Sequence, residues 1–112
     1  MTKRQTLHDA LCAAPPLYST EDTPVEGKTI YARVTASWSM CEWLVSEYDP
    51  VAGVIFGWCD LGIGFPEWGY ATLDEIADLD VEVYPGFPVR AVLDTDFEPV
   101  RFSELGRERR SS

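Results

Sequence analysis

The sequence predicts a single α+β domain. Its centre is a small antiparallel sheet of three to five strands, with one N-terminal helix and one short helix after a glycine-rich loop. Three observations lead there. Runs at 28–36, 41–48 and 54–60 are rich in β-branched and aromatic residues and are joined by short turns, the pattern of an antiparallel meander. Leu7, Ala10, Leu11 and Ala14 recur at helical spacing ahead of them. A capping-box pattern, Thr72-Leu73-Asp74-Glu75, follows the glycine-rich stretch. At 112 residues, 46% apolar and 25% charged, the chain has the length and balance of one globular domain, and global disorder is excluded.

The first helix is expected over 5–14, capped by Thr6 or Asp9 and stopped by Pro15-Pro16, which cannot continue it. Its His8 is read as a solvated surface residue. Leu17 to Gly27 is polar and rich in turn formers, hence a loop. In the first strand, 28–36, Ile30, Ala32 and Val34 share one face, and Tyr31, Arg33 and Thr35 the other. Trp38 and Ser39 fall in a turn. The second strand, 41–48, splits into Cys41, Trp43, Val45 and Glu47 against Glu42, Leu44, Ser46 and Tyr48. Asp49 to Gly53 is a turn in which Asp bonds its own backbone and Gly takes positive φ. The third strand is Val54 to Asp60, and Trp43 and Trp58 are core.

Leu61 to Tyr70 holds three glycines and a proline and is expected to be a packed loop anchored by Phe65, Trp68 and Tyr70. The Thr72-capped helix runs to about Leu79, with Leu73, Ile76 and Leu79 inward and Asp74, Glu75 and Asp78 outward. Asp80 to Pro88 reads as irregular, and Pro88 to Asp94 as a fourth strand or an extended arm. Phe102 and Leu105 anchor the end of an ordered region spanning about 5–105, and 106–112 form a mobile tail.

Charge excludes several function classes. The formal net charge is −10, and between residues 5 and 106 four bases, Lys28, Arg33, Arg90 and Arg101, face 18 acids, a net of −14. Such a body repels nucleic acid and anionic membrane and attracts a basic surface. Simple solubility explains the same excess. No apolar run reaches the roughly 20 residues of a membrane span, and the N-terminus lacks a signal-peptide pattern, so the expectation is cytoplasmic.

The three cysteines, Cys12, Cys41 and Cys59, are widely spaced, so no zinc ribbon, redox motif or disulfide framework is signalled. His8 and Cys12, four apart, share a helix face and with Cys41 and Cys59 make a four-ligand set only on paper. Cys41 and Cys59 read as small buried hydrophobes in strands. Neither a metal nor another cofactor is expected. One histidine and no base beside a nucleophile argue against an enzyme.

Two candidate sites remain. Trp38 and Trp68, in loops, suit a protein interface, the alternative for each being an anchor folded onto the core; the acidic run Asp74, Glu75, Asp78, Asp80 and Glu82 suits one too, its alternative being a solvated face. Asp60, Glu67 and Tyr70 in the glycine-rich loop offer a small-ligand or cation site, against the reading that the acids bond loop amides.

The run Phe56-Gly57-Trp58-Cys59-Asp60-Leu61-Gly62-Ile63-Gly64-Phe65-Pro66-Glu67-Trp68-Gly69-Tyr70 resembles the signature of a bacterial and archaeal family, domain of unknown function 2958. Trp43 through Glu47-Tyr48-Asp49-Pro50 before it fit the same family, as do Pro88-Val89-Arg90, Asp96-Phe97 and Ser103-Glu104-Leu105 after it. The resemblance covers about Leu17 to Leu105, and Tyr84-Pro85-Gly86 departs from it. It implies a small protein of the kind carried on mobile elements, and no catalytic residues. The expected function is therefore a non-enzymatic accessory protein that binds a basic protein surface, such as that of a nucleic-acid-binding protein. Its narrower form is an acidic DNA mimic of anti-restriction or anti-CRISPR type. The alternative is a small-ligand or metal site at 60–70.

Overall fold

The computed structural model describes residues 2–37, 39–62 and 65–107 (the side chain of Val83 apart). Trp38 and the expected tail from 108 onward lie outside the described residues.

Helix α1 (Lys3–Leu11) opens earlier than the sequence pattern placed it, because Thr2 supplies the cap: its hydroxyl accepts from Gln5 N–H at 3.1 Å. Leu7 and Leu11 are its buried residues. After a loop closed by a 3₁₀ turn at Val25–Gly27 come β1 (Thr29–Ile30), β2 (Ala32–Ala36), β3 (Glu42–Asp49), β4 (Val54–Asp60) and β5 (Glu67–Thr72). Helix α2 (Leu73–Ala77) then leads to β6 (Asp80–Tyr84), β7 (Phe87–Leu93), β8 (Val100–Arg101) and a 3₁₀ turn at Phe102–Leu105.

The main sheet has six strands in the order β5-β4-β3-β2-β7-β6, one more than the upper expectation, and β1 pairs with β8 separately. Both extra strands lie where the sequence suggested irregular chain. Glu67–Thr72 is paired along its length with β4, so Tyr70 and Trp68 are strand residues. Asp80–Tyr84 forms a hairpin with β7 around Gly86, whose φ is +87°.

The sheet must curl. Helix α2 follows one edge strand and two residues later the chain enters the opposite edge strand. Six flat strands would put those edges about 24 Å apart. A five-residue helix and a two-residue link reach only about 15 Å.

Each face carries its own core. Ala32, Val34, Trp43, Val45, Tyr48 and Ile55 on the first face pack against Leu7 and Leu11 of α1 and Leu73 and Ile76 of α2. On the second, Ile30, Leu44 and Trp58 pack against Phe102. The alternation expected for β1 and β2 is present, with Ile30, Ala32 and Val34 buried and Arg33 and Thr35 half-exposed. However, the chain breaks at Tyr31, so Ile30 joins the second core and Ala32 the first.

Strand β3 departs from simple alternation. Its register against β4 shifts between Val45 and Glu47, so Ser46 is an extra residue, a β-bulge. The bulge moves Tyr48 to the face of Trp43 and Val45, and Glu47 to the face of Leu44, the reverse of the two-residue period. Gly57 sits opposite Val45, and a β-carbon there would lie 2.0 Å from the Leu44 carbonyl oxygen. Any side chain at 57 must push β3 and β4 apart.

Gly57→Ala is therefore expected to cost at least about 2 kcal/mol in denaturant unfolding. By contrast Gly69→Ala, where a β-carbon meets no atom within 4 Å, should be nearly neutral. Equal effects of the two substitutions would contradict the close approach.

Candidate functional site

The bulge places the buried carboxylate of Glu47 beneath the loop that follows α1. Its Oε1 accepts from Tyr18 N–H at 2.8 Å and its Oε2 from Thr20 N–H at 3.1 Å and from the Thr20 hydroxyl. Lys28, also buried, donates to the Thr20 carbonyl oxygen at 2.5 Å and hydroxyl at 2.9 Å, and its ammonium lies 5.8 Å from the Phe56 ring centroid. Tyr18, so held, has φ +67° and is the one non-glycine residue with positive φ among the described residues. That conformation costs of order 1 kcal/mol.

The loop holds Tyr18 against an aromatic row on the second face. Tyr18 and Tyr70 have ring centroids 6.3 Å apart, Tyr70 and Phe56 5.0 Å, Phe56 and Trp68 5.6 Å, and Trp68 and Phe102 5.0 Å. Tyr18 and Tyr70 are 59% and 56% exposed, whereas Trp68 is half-buried. The Tyr70 phenol is held above the ordinary tyrosine pKa, by desolvation first, then by the charge and hydrogen bond of Tyr18 and the carboxylates of Glu47 and Glu21. Sequence reasoning missed Tyr18 altogether. Trp68, expected in a loop either as an interface residue or as an anchor folded onto the core, is a strand residue that pairs across from Trp58 and packs on Phe56 and Phe102, as the anchor reading has it.

The trio Asp60, Glu67 and Tyr70 does not converge. Asp60 is buried, accepts from Gly62 N–H at 2.8 Å and lies across from Glu42 on the second face. Glu67, paired with Cys59, projects from the first face, and Tyr70 from the second. Burial, with help from Glu67, pushes the Cys59 thiol up to about 11. Among the described residues no three His, Cys, Asp or Glu side chains converge as a metal site. Glu67 does share a cleft of about 320 Å³ with Glu75, walled by Trp43, Cys59, Ile76 and Leu79, with Gly69 in its lining. A larger hollow of about 610 Å³ beside α1 is lined by Leu7 and Leu93 and by Lys3 and Arg90.

The acidic run is divided between a helix and an edge strand. Asp74 receives Arg4 Nε at 2.6 Å, Asp80 receives Arg90 Nε at 3.1 Å, and Glu82 accepts from Gly86 N–H at 2.6 Å. Glu75 is exposed on α2 and Asp78 at its C-terminal cap. The Thr72 hydroxyl accepts from Glu75 N–H at 3.1 Å, one half of the expected capping box. On β6 the charges of Asp80 and Glu82 flank the exposed Val81, an arrangement that discourages edge-to-edge association.

Glu42 closes the second face at its other end. It receives Arg33 Nε at 2.5 Å and Arg107 Nε and Nη2 at 2.9 and 3.2 Å, while Arg33 also reaches Asp94 at 3.1 Å. Burial pushes its pKa up, but the hydrogen bonds and charges of Arg107 and Arg33 outweigh this and hold the carboxyl below its ordinary value.

His8 is not a free surface residue. Its Nδ1 lies 2.7 Å from the Tyr48 hydroxyl and its Nε2 3.5 Å from Cys12 Sγ. Cys41 and Cys59 are only half-buried and do not group with this pair among the described residues; Cys41 Sγ donates to the Leu61 carbonyl oxygen at 3.4 Å.

The fold and site define an α+β domain with one curled six-stranded sheet, whose second face presents a tyrosine pair mounted on a buried carboxylate. The chain belongs to the family described as protein of unknown function (DUF2958), whose match spans residues 17–104. The match takes in the tyrosines, Glu47 and both extra strands and begins after α1. No curated protein and no solved structure matches the chain significantly.

Because the folded pKa of Glu42 lies below its unfolded value of about 4.5, its contribution to stability is complete above that pH and is lost as pH falls through the folded value. Glu42→Gln should lower Tm at neutral pH and flatten the fall of Tm below about pH 4.5. An unchanged acid limb in the variant would show that Glu42 does not carry it.

Proposed function

We propose that this protein is a non-enzymatic accessory protein that binds the basic surface of another protein, with Tyr18 and Tyr70 as the anchor. One observation carries the reading. The chain holds Tyr18 in a strained left-handed conformation, fixed by a buried glutamate, and the result is an exposed aromatic pair. Strained backbone that the surroundings enforce clusters at functional positions, and tyrosine is enriched among the residues that dominate interface energies. A cationic partner fits the charge. Glu21 and Glu47 lie near Tyr70, the body carries the net −14, and arginine or lysine over a tyrosine face is attracted to it. A nuclease-blocking DNA mimic is the narrower form of this reading and rests on net charge together with the mobile-element setting that the family resemblance implies.

The test is capture from host lysate at low salt by wild type and by a Tyr18→Asn/Tyr70→Ser variant, then calorimetry with the purified partner. Asparagine tolerates positive φ, so the variant should keep its Tm. A basic partner whose affinity falls at least about tenfold in the variant supports the reading. A partner bound equally by both would place the interface elsewhere.

A second reading is favoured by the cleft between β5 and α2. Glu67 and Glu75 line it, have no ion-pair partner among the described residues, and face apolar walls, a setting suited to a small organic cation. Saturable phenethylamine binding, seen as amide shifts at Gly69 and Ile76 and lost in Gly69→Val, would support it. Equal binding of uncharged 2-phenylethanol would remove the role of the two acids.

A further inference from the structure

We propose that Cys12 is a nucleophilic thiol, activated by His8 and oriented through Tyr48, that exchanges with low-molecular-weight disulfides to form a mixed disulfide on the protein. The site lies on the opposite face of the sheet from the tyrosine pair and does not depend on the binding role.

The geometry has the parts that nucleophilic catalysis requires: a nucleophile, a base within reach of it, and a third group that orients the base. One helical turn separates His8 from Cys12, so both project from one side of α1. Nε2 of His8 is 3.5 Å from Cys12 Sγ, an ordinary distance for a hydrogen bond to sulfur. Nδ1 is 2.7 Å from the hydroxyl of Tyr48, whose ring is 1% exposed and meets the imidazole edge-on at 5.7 Å between centroids. In the tautomer that activates the thiol, Nδ1–H donates to the Tyr48 oxygen and the Nε2 lone pair faces the sulfur. Tyr48 is a positioning residue, and it reaches the first face because of the bulge at Ser46.

Access and competition also favour Cys12, which is exposed, whereas the Cys59 thiol is held up at about 11 and Cys41 is half-buried. The charges that face Tyr48 are Arg4 on α1, Asp49 at the end of β3 and Asp74 on α2, and Arg4 is itself paired with Asp74. As Cys12 Sγ attacks one sulfur of the disulfide, its proton passes to Nε2. The new S–S bond forms while the old one breaks, and the departing thiolate takes the electron pair and then recovers the proton from the imidazolium. No oxidant beyond the disulfide is needed.

The experiment measures the rate of modification of Cys12 in the native full chain by 4,4′-dithiodipyridine from about pH 6 to about pH 9, with the site assigned by peptide mass. The probe is uncharged at neutral pH, so the protein's net charge does not bias the rate. Wild type at about pH 7 should react at least about tenfold faster than His8→Gln and than the same chain in urea. Tyr48→Phe, which keeps the ring, should move the rate profile to higher pH, a change that a purely structural hydroxyl would not produce. A His8→Gln rate equal to wild type, or a Tyr48→Phe profile superimposed on it, overturns the proposal. Should His8→Gln fail to fold, a native rate no greater than that in urea overturns it alone.

Discussion

One inserted residue in the central strand organises this protein. The β3 strand is buried on both faces, so each of its side chains must be used on one side or the other. The bulge at Ser46 reverses that assignment for the last third of the strand. Without it, Glu47 would point into the helix-covered apolar core, where an unpaired carboxylate is costly, and Tyr48 would lie under the loop. With it, the carboxylate meets three donors from Tyr18 and Thr20, and the tyrosine hydroxyl meets His8. The bare Gly57 opposite lets the strands close over the distortion. The Ser46 hydroxyl, buried and without a partner among the described residues, is the residual cost.

Much of the scaffold was legible in the residues. The face assignment of β2, the Asp49–Gly53 turn with Gly53 at φ +68° and the Thr72 cap each depend on local chemistry, and each is present in the structure. The bulge was not legible, because a period of two has no means of marking one extra residue when the neighbours on both faces are to be buried. Strand β5 was hidden by its glycine and by adjacent loop residues, and its pairing is decided by β4. Strand β6 did carry a signal. Asp80-Val81-Glu82-Val83-Tyr84 alternates, and Pro85-Gly86 is a turn, yet its acids read more readily as a charged run.

The candidate site was less legible than the fold for the same physical reason. Net charge and residue type are visible in a sequence, but convergence is not. The acids that looked like one stripe are divided between α2 and β6 and partly neutralised by Arg4 and Arg90. The acids that looked like one loop site leave opposite faces of the sheet. Conversely, Tyr18 stands in a polar segment with nothing to mark it, and its exposure follows from a glutamate far along the chain. His8 and Cys12 were visible as a helical pair, but the hydroxyl that orients the imidazole comes from β3.

The small pairing of β1 with β8 reaches beyond its size. Its two rungs, Thr29 with Arg101 and Ile30 with Val100, join the segment just after the tyrosine loop to a strand about seventy residues later, and Phe102 N–H donates to the Lys28 carbonyl oxygen at 2.9 Å beside them. Contacts this distant in sequence cost more loop-closure entropy than the local hairpins do. Lys28, which steadies Thr20 beneath the tyrosines, is thus tied through its backbone to residues 100–102. A chain ending before residue 100 would keep the strands of the main sheet yet lack the two rungs and the Phe102 hydrogen bond that bracket Lys28 beneath the tyrosine loop.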